Sequence, residues 1–162
     1  MLLSIPEKVY TRMILWRIKK QVDAVLREEQ AGFRSGRSCT DQIFTLRRIL
    51  EQALEHKTPL IINFIDFEKA FDSLDRESLW KILAVYGIPP KYIRVISNLY
   101  EDSECCVKVE NDHTQWFKIL TGVKQGCVLS PVLFGLAMDW LMRQMIGVMT
   151  RGLKWTGTQE TL

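Results

Sequence analysis

Between about Pro6 and Glu29, Val9, Met13, Ile14, Ile18, Val22, Val25 and Leu26 recur at helical spacing on one stripe. Lys8, Arg12, Lys19 and Arg27 lie largely off that stripe, so the pattern predicts an amphipathic helix, with Pro6 suited to its first turn. AGFRSGRSC then interrupts the periodicity with two glycines and reads as a loop. A second helix is expected from about Thr40, as N-cap, to His56, with Ile43, Leu46, Leu50, Ala53 and Leu54 on its apolar side and Pro59 ending it. Leu60 to Asp66 is mostly apolar and too short for a typical helix, so it is expected to be a buried, mid-sheet strand.

Downstream, Asp75 predicts the cap of a helix running to Tyr86 and stopped by Gly87. Pro89-Pro90 opens another, to about Tyr100. Cys105, Val107 and Val109 alternate with polar residues, Asn111-Asp112-His113 turns the chain, and Trp116 to Leu120 returns, which predicts a hairpin. The loop TGVKQGCVLS leads into an apolar helix from Ser130-Pro131 to about Met145, and Leu153 to Thr156 opens one more strand. Helices and strands that alternate irregularly around a hairpin predict an α+β fold.

With 162 residues, no internal repeat and no Gly/Ser linker, the chain reads as one domain. Its 47% hydrophobic and 25% charged residues are globular values. No apolar run approaches the ~20 residues of a membrane span, and MLLSIPEKVY lacks the layout of a secretory signal. An intracellular protein without membrane partners is expected. Cys39, Cys105, Cys106 and Cys127 have no zinc-ligand spacing, and His56 and His113 complete none, so they read as reduced thiols. Charge is uneven: residues 1–57 carry 11 Lys/Arg against 7 Asp/Glu, and the remainder 11 against 12. A basic first third fits contact with an anionic polymer, and equally a solvated helix face.

Three stretches carry chemistry. In FIDFEKAFDSLD an aspartate ends an apolar strand, where burial demands a partner; either a divalent cation or a lysine would serve Asp66. Asp72 and Asp75 read equally well as turn and cap residues. GVKQG precedes a helix N-terminus, a combination that suits close approach to a phosphate-bearing ligand and also occurs in ordinary turns. GFRSGR holds two arginines whose forks match phosphate oxygens.

Taken in order, QAGFRSGRSCTDQI, FIDFEKAFD and GVKQGCVLSPVLF resemble consecutive motifs of reverse transcriptases. The likeness is to the polymerase of non-LTR (LINE-like) retrotransposons and, more distantly, to group II intron enzymes. LLSIPEKVYTRMILWRI resembles that family's first fingers helix. The resemblance implies part of a right-hand polymerase fold, about 1–58 fingers-like and about 59–162 palm-like with interleaved helices. It implies RNA-directed DNA synthesis, in which a primer 3′-hydroxyl attacks the α-phosphate of a deoxynucleotide with two Mg²⁺ ions assisting. The partners implied are an RNA template, a DNA primer and a dNTP.

By the same resemblance Asp66 corresponds to the first catalytic, metal-binding aspartate, and Phe67 offers its carbonyl to a metal. Lys69 and Ala70 lie where the family holds the triphosphate, and Phe71 at the ring position that excludes ribonucleotides. Gln125 and Gly126 match the pair lining the nucleotide pocket, with Ser130-Pro131 beginning the helix that supports the template. Arg34 and Arg37 match the loop that contacts template or triphosphate.

One departure matters. The family follows the GxKQG helix with an aromatic-Ala-Asp-Asp hairpin, and no Asp-Asp pair occurs anywhere in this sequence. The expectation is a fragment truncated before that motif, without a thumb and with incomplete fingers. It would be inactive in isolation and would self-associate through an exposed palm edge. The alternative is a remnant that binds nucleic acid without chemistry.

Overall fold

A computed structural model describes residues 3–110 and 112–148. Helix α1 spans Ile5–Val25; Ser4 caps it by accepting a hydrogen bond from the Glu7 amide. Its buried residues are Thr11, Ile14, Ile18 and Val22, one line at steps of three and four. Val9 and Met13, expected on the buried stripe, are exposed because they lie off that line. The helix ends at Leu26, whose extended backbone turns the chain out before Glu29.

Helix α2 spans Cys39–Glu55, with Ser38 rather than Thr40 as its cap. It closes in a Schellman turn: Lys57 adopts φ 52, and the Thr58 amide donates to the Ala53 carbonyl. None of its residues is buried.

The expected buried strand is not found. Leu60 to Asp66 joins no ladder, and Ile61 and Phe64 are 88% and 84% exposed. The apolar run supplies a surface fit for burial; among the described residues it pairs with no strand, and none of it joins the core.

Helix α3 (Arg76–Val85) follows the expected grammar. Asp75 caps it at Ser78, and Gly87, at φ 76, lets the Ile88 amide reach the Leu83 carbonyl. Helix α4 runs Pro90–Asn98. The hairpin forms as two short ladders: β1 (Glu104–Cys105) pairs antiparallel with β4 (Phe117–Lys118), and β2 (Lys108–Val109) with β3 (Asp112–His113). Between the ladders, residues 106–107 face residues 114–116, so one extra residue bulges the returning strand. Asp112 and His113 therefore sit in the strand rather than in the turn.

Helix α5 (Ser130–Val148) completes the described fold, a mixture of helices and a small sheet. The predicted strand at Leu153–Thr156 lies outside the described residues. One core joins Ile14, Ile18 and Val22 of α1 to Leu79 and Leu83 of α3, Ile96 of α4, and Leu133 and Leu136 of α5. It crosses the boundary expected near residue 58. No described helix is long and apolar enough to cross a membrane.

Candidate functional site

The second and third motifs meet through their backbones. The Gly122 amide donates to the Leu74 carbonyl, the Val123 amide to the Phe71 carbonyl, and the Thr121 hydroxyl to the Asp72 carbonyl, at 2.8, 2.8 and 3.0 Å. Gly122 is required here. At φ 77 a Cβ would lie 2.6 Å from Asp72 Cα and 2.7 Å from two carbonyl oxygens. The apposition is locked by Arg76, whose guanidinium donates to the carbonyls of Gly122, Tyr100, Ile119 and Thr121. Desolvation lowers the Arg76 pKa, and the Tyr100 ring lies 5.2 Å beneath it.

Phe71 links all three motifs. Its ring stacks on Phe134 of α5 at 5.0 Å and meets the edge of Phe33, in the FRSGR loop, at 6.3 Å. Lys69 holds a left-handed backbone (φ 51) and, with Ala70, forms the turn before Phe71. Gln125 and Gly126 occupy an exposed turn, with Gly126 at φ 87. Gln125 also lines a cleft of about 790 Å³ with Asp72, Arg76, Lys124 and the hairpin. Behind the turn Lys124 pairs with Glu7 at 2.8 Å, and Ser130 donates to the Lys124 carbonyl while lying 3.2 Å from the Tyr100 hydroxyl. Burial raises the Tyr100 pKa.

Of the two arginines of the first motif, Arg34 is employed internally. Arg34, with a side chain only 11% exposed, donates to the carbonyls of Arg27 and Asp23 and lies 3.7 Å from the Asp23 carboxylate. Most of its fork is therefore turned inward, away from any ligand. Arg37 remains half-exposed, 3.9 Å from Glu28.

Asp66 is not drawn into this assembly. It is exposed, and its Oδ1 accepts from the next amide, that of Phe67, at 3.0 Å. Among the described residues no three His, Cys, Asp or Glu side chains gather as a metal site. A pair of catalytic metal ions therefore does not fit the described residues as they are arranged. Asp72 and Asp75 behave as turn and cap residues.

Sequence reasoning missed Asp139. Its side chain has no exposure, and it accepts from the Arg27 amide and guanidinium (3.1 Å each), Arg143 (2.7 Å) and the Tyr86 hydroxyl (2.6 Å). Burial alone would raise its pKa, but the bonds from Arg143, Tyr86 and Arg27 hold it below the usual carboxylate value. Burial, then the bond to Asp139, pushes the Tyr86 phenol up to about 12. A lone acid inside SPVLFGLAMDWLM, four residues before Arg143, was the available signal. Arg76 had no comparable one, since its partners are backbone carbonyls from distant loops.

The sequence profile of the family described as "Reverse transcriptase (RNA-dependent DNA polymerase)" matches residues 1–155. The chain belongs to that family. Its relatives are proteins of non-LTR retrotransposons, as the motif resemblance implied. The uncharacterized 149 kDa protein of transposon TX1 from Xenopus laevis is 32% identical over 138 residues, 85% of this chain and 11% of that protein. The Pol polyprotein of the type-2 retrotransposable element R2DM from Drosophila melanogaster is 34% identical, over 70% of this chain and 11% of its own length. The probable RNA-directed DNA polymerase from transposon BS, also of Drosophila melanogaster, is 32% identical, over 82% of this chain and 15% of its own. This reverse-transcriptase segment thus spans between a tenth and a sixth of the curated relatives it matches.

Proposed function

We propose that the chain is part of an RNA-directed DNA polymerase, a piece of its palm and fingers that binds template and nucleotide but does not join nucleotides by itself. The observation that carries this reading is the close packing of Gly122 against Phe71 and Asp72, which brings the FEKAFD and GVKQG segments together. In this reading residues up to about 58 are fingers-like and the rest palm-like. Phe71, held at its angle by Phe134, presents the ring that selects the sugar, and Gln125 and Gly126 line the nucleotide pocket. Lys69 and Ala70 receive the triphosphate. Arg37, with its guanidinium half-exposed, meets template or triphosphate phosphate groups, and Arg34 holds the loop that carries Arg37.

Asp66 is the catalytic carboxylate of the proposal, with the Phe67 carbonyl beside it. One exposed carboxylate is too little to assemble two Mg²⁺ ions, which supports inactivity of the chain alone. Self-association through an open sheet edge belongs to the same reading.

The test is template-primed deoxynucleotide incorporation with Mg²⁺, on this chain and on a version continued in its reading frame. The proposal expects activity only in the longer protein, abolished by Asp66→Ala. Incorporation by the 162-residue chain would contradict it. The second reading, nucleic-acid binding without chemistry, draws on the basic first third. It expects silence from both proteins and RNA binding that weakens steeply as salt rises.

A further inference from the structure

We infer that Glu7, in the first turn of α1, is a positioning residue for the nucleotide pocket: through Lys124 it sets the turn that carries Gln125 and Gly126. The inference rests on the reading of that turn as the pocket's lining and deepens it by naming what holds the turn in place.

Gln125 and Gly126 have little support of their own. The amides of Gly122 and Val123 are fixed on the Leu74 and Phe71 carbonyls, and the Cys127 amide donates to the Lys124 carbonyl at 3.2 Å. Among the described residues neither Gln125 nor Gly126 has a backbone hydrogen bond, so Lys124 and Cys127 set their place from either side.

Lys124 is held at both ends. Its carbonyl accepts from the Ser130 hydroxyl at 2.7 Å, and its ammonium lies 2.8 Å from the Glu7 carboxylate and 5.8 Å from the centre of the Tyr100 ring. A lysine stem is flexible and orients nothing by itself; anchored at its tip, it ties the turn to α1. The Lys124 and Glu7 side chains are only 17% and 24% exposed, so solvent and salt screen this pair less than a surface one. Glu7, Lys124 and Gln125 line the same cleft.

Glu7 makes this contact instead of a local one. Ser4 and Glu7 have the Ser-x-x-Glu spacing of a capping box, in which the glutamate reaches back to the serine amide. Among the described residues only half of the box forms. Ser4 accepts from the Glu7 amide at 3.3 Å, while the Glu7 carboxylate turns to Lys124, 117 residues along the chain. A glutamate serving the helix alone would close the box.

The test is steady-state deoxynucleotide incorporation by the version continued in its reading frame, with amide exchange on the 162-residue chain beside it. Glu7→Gln keeps the side chain's length and removes its charge. It is expected to raise KM for dNTP about tenfold with kcat within about twofold, and to speed exchange at Cys127, whose bond closes the turn. Ser4→Ala is the control: it removes the helix cap and lowers the melting temperature, yet leaves KM unchanged. Reversing the pair, Glu7→Lys with Lys124→Glu, is expected to return KM towards the parent value. A KM unmoved by Glu7→Gln, or moved as much by Ser4→Ala, overturns the inference. Unchanged exchange at Cys127 beside an active longer protein overturns the role of Glu7 and leaves the pocket standing. Faster exchange at Cys127 beside a longer protein that incorporates nothing keeps Glu7 as the anchor of the turn and overturns its assignment to a nucleotide pocket.

Discussion

Helices α1 and α2 lie in the same basic third, and both are amphipathic by pattern, yet their fates differ. In α1, Ile14, Ile18 and Val22 disappear into the core beside Leu79, Leu83 and Leu133. In α2, Ile43, Leu50 and Leu54 remain exposed, Leu54 at 78%. The strand-like run after α2 makes the contrast sharper, because Leu60 to Ile65 is as apolar as any stretch of the chain, yet Ile61, Phe64 and Ile65 are exposed and Leu60 and Ile62 only half-buried. A periodic apolar face is a property of sequence; its burial depends on another face being there to meet it. Among the described residues, the region from Ser38 to Phe67 has faces that join no core, whereas α1 and α3–α5 supply each other's.

The contrast can be tested most severely at Asp139, where the packed region keeps a charge. Asp139→Ala strips Arg27, Arg143 and Tyr86 of a shared partner and is expected to cost about 3–5 kcal/mol in denaturant unfolding. The same carboxylate gives a pH signature. Because its pKa is lowered in the folded state, its contribution is complete above about pH 5 and drains away as the pH falls below about 4. Asp139→Asn is expected to flatten that acid limb relative to the parent. An unchanged limb would place the acid sensitivity in other carboxylates.

Next in size is a matched pair of truncations. Leu133→Ala, in the core, is expected to cost about 2–5 kcal/mol, and Leu54→Ala, on α2, less than about 0.5 kcal/mol. Equal losses, measured by thermal unfolding, would erase the distinction between the two regions. Smaller again is Gly122→Ala, expected to cost about 2–3 kcal/mol through the left-handed backbone and the contact with Asp72. The same change would loosen Phe71 from Phe134, read as altered aromatic ring-current shifts.

Much of the fold was legible because local signals agreed with their surroundings. Asp75 and Gly87 bracket α3 as their chemistry dictates, and the alternation at Cys105–Val109 yields the hairpin, with a bulge that no single residue announces. The strand at Leu60–Asp66 was misread for a definite reason: an apolar run reports what a segment would bury and says nothing of what is present to bury it. The three motifs were legible as a family signature, and Gly122 explains why two of them meet. The inward turn of Arg34 was hidden, because its partners are carbonyls of Asp23 and Arg27, which any residue type presents. Asp139 was visible as an oddity beside Arg143, but its other two partners, Arg27 and Tyr86, come from distant parts of the chain.

The central claim is that α1 and α3–α5 form the cooperative unit while the segment bearing Asp66 stands outside it. Residue-resolved amide exchange on the dilute 162-residue chain tests this most directly. The account predicts strong protection through Ile14–Val22, Leu79–Leu83 and Leu133–Ala137, with exchange near the unstructured rate from Pro59 to Phe67. Protection from Pro59 to Phe67 as strong as in those helices, under the same conditions, would contradict it.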